Sequence, residues 1–90
     1  MYQSIKTKAQ LKRLPIGTEL ILVECLMGPC NDPRTIKQIK SNAIVMQLPD
    51  GRTSNCYLDQ IGNKLEPTED GFLLRCEDGK VAVKYLVKAN

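Results

Sequence analysis

The stretch Arg34–Leu58, RTIKQIKSNAIVMQLPDGRTSNCYL, decides how the chain folds. Two runs rich in β-branched and apolar residues flank Pro49-Asp50-Gly51. Pro49 presets φ for the first corner of a type I turn, Asp50 suits the second, and Gly51 accepts φ > 0. This composition predicts a tight hairpin with a glycine bulge, pairing Ile44–Leu48 with Arg52–Cys56. Upstream, Ile36 and Ile39 break the period of two, so a bulge or bend is needed there, with a second bend at Ser41-Asn42.

The last hairpin carries the same signal. Phe72, Leu74 and Cys76 share one parity, Glu77-Asp78-Gly79 turns the chain, and Val81, Val83, Tyr85 and Val87 share a parity on the return. They form one apolar face, with Lys80, Lys84 and Lys88 on the other. Before the central hairpin, Leu20–Val23 is an unbroken apolar run within the strand opened by Gly17, which suits a strand covered on both faces. Residues 26–33, LMGPCNDP, read as a loop on their Gly, Pro, Asn and Asp content. Leu26 and Met27 sit at its base, which makes the loop a candidate contact. Leu65–Asp70 carries Pro67 and three acids and reads as an exposed turn, and 58–62 as a short connection.

At the N-terminus, Thr7-Lys8-Ala9-Gln10 fits a capping box. The good helix formers that follow place Leu11 and Leu14 on one face, and Pro15 ends the run. The expected fold is mainly β: one domain over 1–90, with a short helix at about 8–14 and then a five- to six-stranded antiparallel SH3-like small barrel over about 18–88. Closure would remove exposed strand edges. An OB-like barrel is the alternative.

Ninety residues with 42% apolar content suffice for a single core without staples. No run has the length of a membrane span, and the basic start MYQSIKTKAQLKRL lacks the apolar region of an export signal, so a cytoplasmic location with no membrane partner is expected. Four cysteines, Cys25, Cys30, Cys56 and Cys76, admit a Cys25–Cys30 bridge or a zinc site, but only Cys25-x4-Cys30 approaches a knuckle and the chain has no His. Small buried apolar groups are the simpler reading, above all for Cys56 and Cys76. No cofactor is implied.

Catalysis is not expected. The usual neutral-pH base is missing, and no Cys lies in an activating motif. Asp59 with Glu66, or Glu69 with Asp70, are acids in turn-like segments, where solvation is the ordinary role. The two Asp-Gly pairs are turn chemistry rather than a phosphate-cradling loop.

Charge says more. The net charge is only +3, yet residues 1–18, 34–40 and 80–88 hold ten of the thirteen bases and no acid. Lys6, Lys8, Lys12 and Arg13, then Arg34, Lys37 and Lys40, then Lys80, Lys84 and Lys88 would form a basic surface if they converged. Otherwise they decorate solvent faces and guard strand edges. Tyr2, Tyr57, Tyr85 and Phe72 are too few for a base-stacking platform, so nucleic-acid binding would be backbone-directed, with Arg52 and Tyr57 as additions.

Three segments, LPIGTELILVECLMGP, PRTIKQIKSNAIVMQLPDGRTSNCYLD and EDGFLLRCEDGKVAVKYLV, resemble small uncharacterised accessory proteins of bacteriophages and prophages. In that family a short helix precedes a GT-x-L strand, an R-T-x5-S-N strand and a G-R-x-S-x-L strand. Here Gly17-Thr18-Glu19-Leu20, Arg34-Thr35 with Ser41-Asn42, and Gly51-Arg52-Thr53-Ser54 carry the likeness, with Asn55-Cys56 standing between Ser54 and Tyr57-Leu58 where the pattern has a single residue. The resemblance implies a non-catalytic protein that binds and blocks a host protein, such as a CRISPR complex or other defence system. The contact candidates are Leu26, Met27, Asn31, Arg34, Lys37, Lys40, Arg52, Tyr57, Lys80, Lys84 and Lys88. The alternative is a nucleic-acid-binding small barrel using the same bases on phosphates. A purely structural virion component, which would self-assemble symmetrically, is a third class.

Overall fold

The computed structural model describes residues 1–59 and 64–89, and part of the expected 58–62 connection lies outside them. A short helix, α1 (Lys8–Lys12), precedes seven strands: β1 (Glu19–Cys25), β2 (Gly28–Ile39), β3 (Ala43–Gln47), β4 (Thr53–Tyr57), β5 (Lys64–Thr68), β6 (Gly71–Arg75) and β7 (Val81–Val87). They form one antiparallel sheet in the order β4-β3-β2-β1-β7-β6-β5. Mainly β with one short helix is therefore correct, but the sheet has seven strands and does not close: β4 and β5 are its two edges.

The sheet is curled. A flat sheet with one layer of side chains is about 10 Å thick, whereas the shortest dimension of the molecule is 25 Å. Bulges assist the bend, at Val23 in β1 against β7, at Lys37 between Ile36 and Gln38 in β2, and at Ala82 in β7 against β6. The second is the irregularity that Ile36 and Ile39 require. The concave side holds the core, including Leu20, Leu22, Ile36, Ile44, Met46, Phe72, Leu74, Tyr85 and Val87.

Both Asp-Gly turns form as their residues dictate. In the first, the Leu48 N–H donates to the Arg52 carbonyl and the Gly51 N–H to the Leu48 carbonyl, with Gly51 at φ +91. The Asp50 carboxylate accepts from the Arg52 N–H. The pairing is Ile44 with Cys56 through Gln47 with Thr53. The second turn repeats this with Cys76, Gly79 and Lys80, and Asp78 takes the part of Asp50.

Two segments that read as loops are strands. Residues 26–33 reduce to a two-residue turn, Leu26-Met27, because Cys25 already pairs with Gly28. Pro29, Asn31, Asp32 and Pro33 belong to β2. From Gly28 to Arg34 this strand is paired with β1 alone, since pairing with β3 starts at Thr35. A strand open on one side accommodates prolines, whose missing N–H falls on the open side. Leu65–Asp70 is likewise mostly strand: Pro67 sits in edge strand β5, and only Glu69-Asp70 turn.

The helix stops at Lys12, earlier than 14, with Arg13 as its C-cap. Thr7 Oγ1 accepts from the Gln10 N–H, and Gln10 Oε1 accepts from the Lys6 N–H, a capping box displaced by one residue. Leu11 and Leu14 are buried as their spacing predicts. Ahead of the helix, the Gln3 N–H donates to the Val87 carbonyl and the Ile5 N–H to the Gly71 carbonyl, which seats Ile5, fully buried, under the core.

Candidate functional site

Two places bring contact chemistry together: the β1–β2 hairpin tip and the open mouth of the curled sheet. At the tip, a turn of only two residues leaves its side chains no framework to pack against. Leu26 is 63% and Met27 97% exposed. Gly28, at φ +111, takes the chain out of the turn and into β2. Asn31 is exposed on β2 a few residues on.

At the mouth stands Arg34. It pairs with Leu20, so it shares the concave face with the core. From β2 its guanidinium reaches both flanks of the sheet: Nη1 donates to Ser54 Oγ on β4 at 3.2 Å and to Tyr85 Oη on β7 at 3.4 Å. Nε is buried without a partner. Around it lies an open cavity of about 420 Å³, whose walls include Leu22, Leu74, Ala82 and Val83. Burial pushes the Tyr85 hydroxyl well above the ordinary phenol range, so it is a neutral donor and acceptor at pH 7. Burial also pushes the Cys56 thiol up to about 11.

The expected basic surface is not assembled as one. Arg34 faces inward, away from the other bases. Lys12 Nζ donates to the Ser41 carbonyl, which brings the helix against the β2–β3 turn where Lys40 is exposed. Lys80 sits in the β6–β7 turn at the opposite end of the strands, beside the end of β1 that carries the tip. Lys84 is half-buried on the outer face, across from Glu24 and Leu73. Lys37 is exposed at its bulge. Three of these bases are already paired with acids: Lys88 Nζ lies 2.9 Å from Glu19, Arg52 Nε 2.6 Å from Asp50 and Lys8 Nζ 3.2 Å from Asp59. Tyr57 is 44% exposed on edge strand β4, and its hydroxyl accepts from Asn55 Nδ2.

The Arg34 mouth escaped the sequence reading, although a signal existed. Arg34 lies two residues before buried Ile36, so strand parity alone turns it inward. The surrounding bases invited the opposite reading.

All four cysteines are free thiols, and among the described residues no group of three or more Cys, Asp or Glu is gathered to hold a metal ion. Cys56 is 7% exposed, and with its thiol near 11 only about one in a thousand is thiolate at pH 8. In the folded protein at pH 8, iodoacetamide is therefore expected to spare Cys56 until long after the half-buried cysteines react, as read by peptide mass mapping. The same shift fixes a sign. A thiol whose folded value is raised from 9.0 to about 11 favours the fold below pH 9, and that contribution is lost as the pH rises toward 11. Urea midpoints across that window should fall, and Cys56→Ala should flatten the fall.

No helix among the described residues is long and apolar enough to cross a membrane. Comparison with protein-family models, with curated proteins and with solved structures finds no match to this chain.

Proposed function

We propose that this chain is a non-catalytic accessory protein of the phage type, acting in the cytoplasm by binding a host protein, with the β1–β2 tip as its anchor. The observation that carries this is Met27, 97% exposed beside Leu26 in a two-residue turn closed by the Cys25–Gly28 pair. Large apolar side chains exposed on a short turn bury their surface on entering a partner's pocket, and a two-residue turn leaves little backbone to order in doing so. The resemblance to phage accessory proteins supplies the kind of partner, a host complex such as a CRISPR effector. The scaffold is an opened SH3-like barrel in this reading. What supports it is the β1–β4 meander with β7 returning beside β1.

The nucleic-acid reading draws on Lys12 and Lys40 meeting at one end of the sheet. It is the weaker one, because Arg34 turns inward and Lys88 and Arg52 are paired.

The test is capture from a bacterial lysate at low and high salt, followed by titration of the purified partner. Met27→Ser with Leu26→Ser should weaken that affinity by about 30-fold or more, as loss of a central anchor does, and leave the melting temperature unchanged. Unchanged affinity in the double variant defeats the proposal. So does DNA or RNA binding whose affinity falls steeply with salt, the mark of phosphate contacts.

A further inference from the structure

We propose that the mouth of the curled sheet is a binding site for a carboxylate that carries an apolar group, with Arg34 taking the carboxylate. This site is distinct from the Leu26-Met27 turn, although Cys25 beside that turn lines its edge, and neither proposal depends on the other.

Arginine is always protonated in a protein, and taking its charge out of water costs energy unless an anion compensates it. Arg34 is half-buried, and no described carboxylate lies within 4.0 Å of it. Its two hydrogen bonds go to neutral hydroxyls. Asp32 stands two residues along the same face and also borders the cavity, but it is exposed and makes no ion pair with Arg34. The guanidinium is thus held in place without a counter-charge.

Nη1 is committed to Ser54 and Tyr85, whereas Nε has no partner and no hydrogen bond engages Nη2. The Nε–Nη2 edge presents two parallel N–H groups, the fork that matches the two oxygens of a carboxylate. Nε is shut off from solvent in this arrangement, so the edge meets an anion only once the guanidinium turns into the cavity it lines, giving up its Nη1 bonds to Ser54 and Tyr85. The two hydroxyls so released can donate to the same anion.

The walls select among anions. Arg34 is the one cation among the described residues lining the mouth and matches a single negative charge, while the Asp32 carboxylate at the rim repels a dianion such as phosphate more than it repels a monoanion. Leu22, Leu74, Ala82 and Val83 offer an apolar surface for the rest of the ligand. The cavity, about 420 Å³, is in the range of small-molecule sites. Two sources share this chemistry: a free organic acid, and the C-terminal carboxylate of another polypeptide.

The experiment is nitrogen-15 NMR of the full chain, following the Arg34 Nε–H and the amides of Tyr85 and Cys56. The probes are benzoate, benzamide, inorganic phosphate, and the acetylated tripeptide Gly-Gly-Phe as its free acid and as its amide. Saturable shifts with benzoate support the proposal and assign a free acid as ligand. Saturation by the tripeptide acid alone supports it and assigns a chain terminus. Arg34→Lys, which keeps the charge but loses the fork, should weaken binding about tenfold or more. Ser54→Ala, at a position on an edge strand, should weaken it severalfold and serves if the lysine variant does not fold. Equal shifts with acid and amide, phosphate binding as well as benzoate, or no saturable shift with either acid would overturn the proposal. So would full affinity in a folded Arg34→Lys together with full affinity in Ser54→Ala.

Discussion

Gly71→Ala is expected to cost the fold about 3 kcal/mol or more, the upper end for forcing extra volume into a packed place. A Cβ built on Gly71 would lie 2.0 Å from the Tyr85 carbonyl oxygen, 2.9 Å from its carbon and 3.1 Å from the Leu86 Cα. All three are backbone atoms of the neighbouring strand, so no side chain can swing away to make room. The strands would have to part where β6 begins, at the point where the Gly71 carbonyl accepts from the Ile5 N–H and the adjacent Asp70 carbonyl accepts from the Val87 N–H. The N-terminal segment should come loose with them. For a domain of this size the loss corresponds to a fall in melting temperature of roughly 12–24 °C, measurable by circular dichroism. Gly17 provides the contrast. A Cβ there meets nothing within 4 Å, and only its φ of +95 resists alanine, a penalty of about 1 kcal/mol. Similar melting temperatures for the two variants would contradict the close approach of β6 and β7.

The comparison of these two glycines marks what a sequence discloses. Gly17 announces itself, because it opens a strand after Pro15-Ile16 and glycines in turns are expected. Gly71 follows Asp70 in what also reads as a turn, yet it is required for space rather than for φ, and that need arises from a strand distant in sequence. The same division runs through the fold. The two Asp-Gly hairpins, the capped helix and the inward parity of Phe72, Leu74, Tyr85 and Val87 depend on neighbours a few residues apart, and all were legible. Pro29, Pro33 and Pro67 argued for loops, because a proline excludes only a strand paired on both sides, and which strands are open on one side is a property of the whole sheet. Closure of the barrel failed for the same reason. Of the two candidate sites, Leu26 and Met27 were visible as apolar residues among turn formers. The mouth was not, since Ser54, Tyr85 and Arg34 come from three separate strands.

Phe72→Ala should produce a loss of similar size, about 3–5 kcal/mol, for a different reason. Phe72 is fully buried and stacks on Tyr85, with ring centroids 5.5 Å apart and planes at 29°. Removing the ring leaves a void between β6 and the rest of the concave face, which backbone pairing on both sides of β6 keeps from collapsing. Leucine at the same position refills most of that volume, and Phe72→Leu is expected to stay within about 1.5 kcal/mol of the parent. Urea denaturation separates the two variants, and an unchanged slope shows that stability, not the compactness of the unfolded chain, has moved. The consequence reaches beyond stability. Tyr85 presents one side of its ring to Phe72 and its hydroxyl to Arg34, so the aromatic pair is the floor on which the guanidinium is held. In Phe72→Ala the near-ultraviolet dichroism of the tyrosines should weaken under conditions where the far-ultraviolet signal persists. Carboxylate binding at the mouth should fall with it, whereas Met27, on the far side of the β1 bulge and packed on nothing, should keep its partner. Loss of both activities together in a variant that is still folded would mean that tip and mouth are one site, not two.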